Sequence, residues 1–525
     1  MNITPIEFQK LLDAAADPEK TPFHYIIVGS GAGGGPLAAA LARAGKRVLL
    51  LEAGRDPALP DQEDLSKPTD PNKLREMYQV PAYYAAATED PEMSWGFSVR
   101  HYADDASQAK DTKYNAEHDP SKKGGTGKGG IFYPRCAALG GCTAHHAMII
   151  IAPNDRDWNA IAERTGDNSW RAESMQGYFT RIEKCLYRSI YQGFFRRILG
   201  FIYDVTRWFV GRINPRAVFD PGGHGDHGWQ PTSFLNPDLV ASIRKGDPIF
   251  RRVLVDSLES LFQQKGALPP LKRALLRLRL VEFLDPNDRN NRREKPEGVA
   301  FIPLGTDGTR RMGLRELLLQ TRREYPDRLV IVTGVHATKI LFSNESGGAP
   351  TARGVEVAEG VHLYEASPLA AKNLSNGAEP PRRRYFANRE VIICGGSFNT
   401  PQLLMLSGIG DGAHLKKFGI EQLQGTDGKP ISPVIDLPGV GLNLQDRYEV
   451  SVISELKEEF LTLKGISFQP GDANDPARAE WLKSGTGLYS TNGGTLAILK
   501  RSEVDPQPEP DLFIFGVPAA FRGYY

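Results

Sequence analysis

Cysteine is scarce in this chain, with four residues in 525: Cys136, Cys142, Cys185 and Cys394. They are too few and too scattered for a disulfide framework, and no two have the paired spacing of a structural zinc site. The pattern is that of a reduced protein. Net charge is equally scarce: 64 Lys and Arg face 63 Asp and Glu, leaving a formal +1. Composition therefore offers no argument for a nucleic-acid partner or a trap for acidic substrates. The most membrane-like stretch, Phe194 to Val210, is broken by Arg196, Arg197, Asp204 and Arg207 and cannot cheaply span a bilayer. The first twenty residues have no apolar centre behind a basic start, so they do not read as a secretory signal, and the expected location is cytoplasmic.

What the chain does have is glycine and proline, 54 and 38 residues, with 40% apolar side chains, the composition of a loop-rich globular protein. Its length suits three or four domain-sized units, or one large two-domain enzyme with insertions. Thr4-Pro5-Ile6-Glu7 reads as a capping box with proline at the first helical position, opening a helix that runs through Ala16. Tyr25 to Val28, Arg47 to Leu51, Leu329 to Val332 and Val391 to Cys394 are continuous apolar runs of strand length, as expected of a sheet buried on both faces. The fold class is therefore α/β. A Gly- and Lys-rich stretch over residues 122–130 and a polar, Pro-rich one from Ser367 to Arg384 read as surface loops or insertions.

The first constellation with chemical content is Gly29-Ser30-Gly31-Ala32-Gly33-Gly34. It follows one strand, opens a helix over Pro36 to Ala44, and leads to a second strand ending in Glu52. Gly29 permits a tight turn, Gly31 lets backbone approach a pyrophosphate, and Gly34 lets helix and strand pack closely. The helix N-terminus presents free N–H groups to the anion. Glu52 stands at the offset where an acidic side chain accepts ribose hydroxyls. This is the order of a dinucleotide-binding βαβ unit.

Glu52-Ala53-Gly54 after such a unit looks more like a flavoprotein than a nicotinamide dehydrogenase. Pro134 to His146 (PRCAALGGCTAHH) resembles the first signature of the glucose-methanol-choline (GMC) oxidoreductases, and Gly396 to Gly410 (GSFNTPQLLMLSGIG) resembles the second. Asp436 to Asp446 (DLPGVGLNLQD) is similar to the family's following element, although Arg447 stands where a histidine is more usual. The resemblance runs from about Phe23 to the last residue. It implies an FAD-dependent enzyme that oxidises an alcohol to an aldehyde or ketone by hydride transfer to flavin N5. The implied architecture is a Rossmann-like FAD-binding domain interleaved with an α+β substrate domain built on an antiparallel sheet. The expected boundaries are 21–165 (with inserted loops 56–130) and 296–450 for the FAD-binding parts, and 166–295 and 451–525 for the substrate parts.

The resemblance also assigns residues. Gly140 and Gly141 would lie against the flavin, with Cys142, His145, His146, Ala147, Met148 and Ile149 running along its ring system. His145 occupies a position that in some members is joined covalently to the flavin; the alternative is a buried imidazole donating to a carbonyl. Ala337, in Thr333-Gly334-Val335-His336-Ala337, falls where family backbone pairs with adenine. Trp95 approaches the cofactor or belongs to the core. Cys142 is a reactive thiol or a small packed side chain. His224 and His227 have metal-like HxxH spacing without a helix to align them, so no metal site is expected. Two basic amphipathic stretches, Phe194 to Arg212 and Leu271 to Phe283, read as packed helices, or as a lid for an apolar or long-chain alcohol or a membrane surface.

Family members carry a catalytic histidine and a closing FAD-binding segment after the third motif. No histidine follows His414 here. The expectation is that the catalytic residues lie beyond Tyr525, absent or supplied by a second polypeptide. The resemblance leaves two other readings open: a lyase or photodecarboxylase on the same scaffold, and a non-catalytic FAD-binding subunit. It does not choose the electron acceptor.

Overall fold

The computed structural model describes residues 4–58, 71–115, 130–187 and 222–524, apart from segments 235–238, 240–245, 254–255, 257–283, 295–296, 345–347, 365–366, 371–378 and 505–508 and positions 368 and 495. Both basic amphipathic stretches named above, and nearly all of 122–130, lie outside the described residues.

Helix α1 (Pro5–Ala15) starts as its capping box dictates, with Thr4 Oγ1 accepting from Glu7 N and Glu7 Oε2 accepting from Thr4 N. Strands β1 (Tyr25–Val28) and β2 (Val48–Glu52) flank helix α2 (Gly34–Arg43). Strand β3 (Gly298–Phe301) precedes helix α3 (Leu314–Glu324), followed by β4 (Leu329–Thr333), β5 (Val335–Ser343), β6 (Thr351–Glu359), β7 (Arg382–Phe386) and β8 (Glu390–Ile393). Helix α4 (Gly396–Leu406) and strands β9 (Leu496–Lys500) and β10 (Leu512–Phe515) complete the frame.

The four expected apolar runs assemble into one parallel sheet of order β8-β1-β2-β4, with Ile26 opposite Leu49 and Val391. Its continuous hydrophobicity has the anticipated cause, because successive side chains point to opposite, covered faces. Ile26, Val28, Leu49, Leu51 and Val330 pack against the antiparallel sheet β5-β6-β7 through Ile340, Phe342, Val355, Val357 and Tyr385. Ile27, Val48, Leu50, Leu329 and Ile331 pack against Ala38 and Ala42 of α2 and Leu318 of α3. Burying such side chains stabilises by about 1.5–3 kcal/mol each. A second antiparallel sheet, β3-β9-β10, pairs Ala497 with Ala300 on one side and Phe515 on the other. It joins β3, from the 296–450 segment, to strands of 451–525.

Candidate functional site

The turn after β1 is held by backbone contacts that leave no space for a side chain. Gly29 has φ +97°, and a Cβ there would meet the Cys394 carbonyl oxygen at 2.3 Å; one on Gly34 would meet the Gly29 oxygen at 2.0 Å and Ile27 Cγ2 at 2.9 Å. These two glycines are steric necessities of packing α2 and β8 onto β1.

The Gly140–Gly141 turn, more than a hundred residues away in sequence, lies against this one. A Cβ on Gly141 would come within 2.6 Å of Gly31 Cα, and both Gly140 (φ +100°) and Gly141 (φ +57°) are left-handed. Ser30 links the two turns: its hydroxyl accepts from Gly140 N at 2.9 Å and donates to Glu52 Oε2 at 2.5 Å. Glu52 Oε2 also accepts from Ser30 N and Oε1 from Gly54 N, both at 2.9 Å. The carboxylate thus ends β2 and latches both turns. Its burial raises its pKa, partly offset by the hydrogen bonds from Ser30 and Gly54.

Beside Glu52, a narrow crevice is lined by Ala53, Gly54, Trp95, Ala137, His336 and Val361, among others. Trp95 is stacked on Phe97 and edge-on to His336. Ala337 packs on the core, and it is the preceding His336 whose side chain reaches the crevice.

Cys142 is exposed in a short 3₁₀ turn, Gly141–Ala144. Beyond it the chain dives inward. His145 is buried, with Nδ1 3.0 Å from Thr88 Oγ1. That hydroxyl has one proton and lies 2.8 Å from the Tyr84 carbonyl oxygen and 3.2 Å from that of His145. The proton goes to a carbonyl, so the hydroxyl accepts from His145 Nδ1–H. His145 Nε2 is then a lone pair, buried and without a hydrogen-bond partner. His146 is the opposite case: Nδ1 accepts from Met148 N at 2.9 Å and lies 3.2 Å from Arg311 Nη1. Both rings are held neutral by burial first and by the Arg311 charge second, their pKa values depressed to about 3 for His145 and about 4 for His146.

Met148, fully buried, has φ +61°. A non-glycine residue in this region costs about 1–2 kcal/mol and persists only where its surroundings impose it. Here Gly305 N donates to its carbonyl at 2.7 Å and its own N–H is spent on His146. Asn492 Nδ2 donates to the Ala147 carbonyl, and Ile149 bridges Leu304. The predicted residues from Gly140 to Ile149 therefore form one clamped segment. Ser30, Thr88, Arg311 and Asn492, which the motifs did not single out, are among its fasteners. Of these only Ser30 lay inside a recognised motif.

His224 and His227 are not brought together. His227 is exposed beside Asp226, whereas His224 is buried between Glu183 and Asp285, each at 3.1 Å. Burial alone would depress the pKa of His224, but Asp285, Cys185 and Glu183 together hold it well above its ordinary value. Glu183, Cys185 and His224 offer ligand atoms within 4.8 Å of one another. Glu183, however, is already committed to His224, Gly225 N and Thr232 Oγ1.

Residues 282–449 match the family model described as GMC oxidoreductase, and residues 27–87 one described as an NAD(P)-binding Rossmann-like domain. Over residues 282–449 the chain thus resembles the GMC oxidoreductase family. Among its relatives, the dehydrogenase eriK of Hericium erinaceus is 25% identical over 516 residues, covering 97% of the chain and 66% of that protein. The oxygen-dependent choline dehydrogenase of Brucella anthropi is 24% identical over 499 residues, covering 95% and 65%. The chain thus spans just under two thirds of the length of these relatives. Among solved structures, a formate oxidase aligns with TM-score 0.56 at 17% identity, over 90% of this chain and 61% of that one. An FAD-dependent oxidoreductase from Chaetomium thermophilum aligns with TM-score 0.51 at 20% identity, over 91% and 62%. At such identities the likeness is one of fold. FAD is the family cofactor. The residues here fit it: two touching glycine turns in which Gly29, Gly34 and Gly141 have no room for a Cβ, a narrow crevice beside the Glu52 strand end, and an unpartnered imidazole nitrogen on the neighbouring segment. No helix among the described residues is long and apolar enough to cross a membrane.

Proposed function

We propose that this chain binds FAD through the paired turns and serves the oxidation of an alcohol-type CH–OH donor to an aldehyde or ketone. The observation that carries the reading is the contact of Gly31 with Gly141, because it joins a dinucleotide turn to a segment bearing two neutral histidines, His145 buried and His146 half-buried. In this reading Gly29, Gly31 and Gly34 let the pyrophosphate reach backbone N–H groups, Glu52 accepts a ribose hydroxyl, and Trp95 with the Ala337 strand bounds the adenine end. Gly140 to Ile149 faces the ring system. FAD held there supplies N5 as a hydride acceptor for the carbinol carbon.

The chain's own residues orient and exclude water. The Ser30–Glu52 latch fixes the distance between the two turns. Thr88 keeps a lone pair on His145 Nε2, the atom suited to covalent attachment at the flavin methyl group, and His146 offers an N–H from Nε2. Neither histidine is the base that takes the alcohol proton, since a pKa of about 3 or 4 is poorly matched to that task near neutrality. Residues 21–165 and 296–450 carry the cofactor part, and 166–295 with 451–525 the substrate part, except that β3 belongs with the substrate sheet through its pairing with β9.

The test is anaerobic addition of alcohols of several classes to the FAD-loaded protein while following flavin absorbance. Because neither histidine is the base, bleaching by at least one class is expected only when a base for the alcohol proton is supplied with the chain. An FAD-loaded protein supplied with that base, bleached by dithionite and untouched by every alcohol, would overturn the proposal.

A further inference from the structure

The described residues contain a fully buried guanidinium that no carboxylate neutralises at contact distance. Arg311 is 1% exposed. Its Nε donates to the Tyr78 carbonyl at 2.9 Å, and Nη1 lies 2.7 Å from the His146 carbonyl oxygen, 3.2 Å from that of Thr143 and 3.2 Å from His146 Nδ1. Nη2 is buried without a hydrogen-bond partner. The closest acidic group by influence, Glu316, is occupied by Tyr78 OH, Gly313 N and Arg315. A buried charge without a paired opposite charge is costly, so its retention calls for a role.

We propose that Arg311 is a positioning residue for the histidine pair: together with Met148 N–H it holds His146 as the Nε2–H tautomer, opposite to His145, and it keeps an uncompensated positive charge behind the segment from Thr143 to Met148. The geometry forces the first half. Two donors, Met148 N–H and Arg311 Nη1–H, converge on His146 Nδ1, which must therefore carry the lone pair. The groups around the site agree. Arg311 is the charged group acting on His146, Arg311, His146 and Arg135 act on His145, and Tyr78, Cys136 and Glu316 act on Arg311. No carboxylate is among the groups perturbing either histidine, so a cation dominates the field there and favours negative charge accumulating in front of the segment. That second half rests on the reading of Gly140 to Ile149 as the flavin side; the tautomer half does not.

The experiment uses the whole chain with ¹⁵N-labelled histidine and two-bond ¹H–¹⁵N spectra, His146 being assigned by His146→Gln. In the wild-type protein His146 should be a neutral Nε2–H ring and His145 a neutral Nδ1–H ring, neither protonating between about pH 5 and 8. Arg311→Met should raise the proton affinity of His146 about tenfold or more, while Met148 N–H still holds the neutral ring as Nε2–H and Arg311→Lys keeps the ring neutral. A wild-type His146 that is Nδ1–H or titrates in that range would overturn the proposal even if Arg311→Met fails to fold, as would unchanged His146 signals in a folded Arg311→Met protein. In the FAD-loaded protein, the flavin midpoint potential should fall in Arg311→Met; an unchanged potential would overturn the charge half. Failure of the wild-type chain to take up FAD would instead sink the flavin reading and leave the spectra as the judge of the tautomers.

Discussion

Glutamine at position 52 separates a cofactor acceptor from a mere strand-end latch. The Glu52 carboxylate takes two hydrogen bonds on Oε2, from Ser30 N and Ser30 Oγ, and one on Oε1, from Gly54 N. Glu52→Gln preserves volume but has one oxygen, so its amide group must face a donor. Placing NH₂ at Oε2 sacrifices two bonds and placing it at Oε1 sacrifices one, so the second orientation wins. That choice sets the amide against Gly54 N–H and removes the lone pair on Oε1 left for a ribose hydroxyl. One charge-assisted bond lost with a buried donor left unpaired costs about 1.5–3 kcal/mol. At 1.4 kcal/mol per decade this is a roughly 10- to 100-fold weaker FAD complex. Titration of the apoprotein with FAD, followed by flavin fluorescence, measures it directly, with circular dichroism confirming that the variant is folded. A folded Glu52→Gln protein whose FAD affinity stays within about twofold of the parent would refute the assignment of Glu52 to the cofactor.

Gly34→Ala should prevent α2 from seating on β1, because its Cβ would meet a carbonyl oxygen at 2.0 Å, and should abolish FAD uptake and lower Tm sharply. Gly177→Ala, exposed within the helix Ala172–Ile182 with nothing within 4 Å, should instead raise stability by up to about 1 kcal/mol. Attachment of the flavin at His145 predicts yellow colour in the pellet after acid precipitation of the holoprotein; all the colour in the supernatant would reject it. His224 gives a pH dependence with a definite sign: its folded pKa is raised by its carboxylate partners, so the stability it contributes is present below the unfolded value near 6.5 and is lost as pH rises through the higher folded value. His224→Gln should flatten that alkaline fall in a series of Tm measurements, and an unchanged slope would remove His224 as its cause.

The parallel sheet was legible because its strands are buried on both faces, which writes an unbroken apolar run into Tyr25 to Val28 and into each partner strand. Gly29 and Gly34 were legible for a steric reason, since only glycine satisfies a contact with backbone at that range. What could not be read was chemistry set from a distance. The Ser30 to Gly140 bond joins positions 110 residues apart, and Arg311 lies in a stretch, Asp307-Gly308-Thr309-Arg310-Arg311, whose local pattern is that of a solvated turn. Burial of its charge leaves no periodic trace. The two histidines make the point most sharply. As neighbours of one residue type they are equivalent in any motif, yet Thr88, 57 residues away, puts the proton of His145 on Nδ1, and Met148 N–H with Arg311, 165 residues away, holds the lone pair of His146 at that same atom. A motif can say which side chains stand at the cofactor, but the packing around them decides which ring nitrogen donates and which accepts.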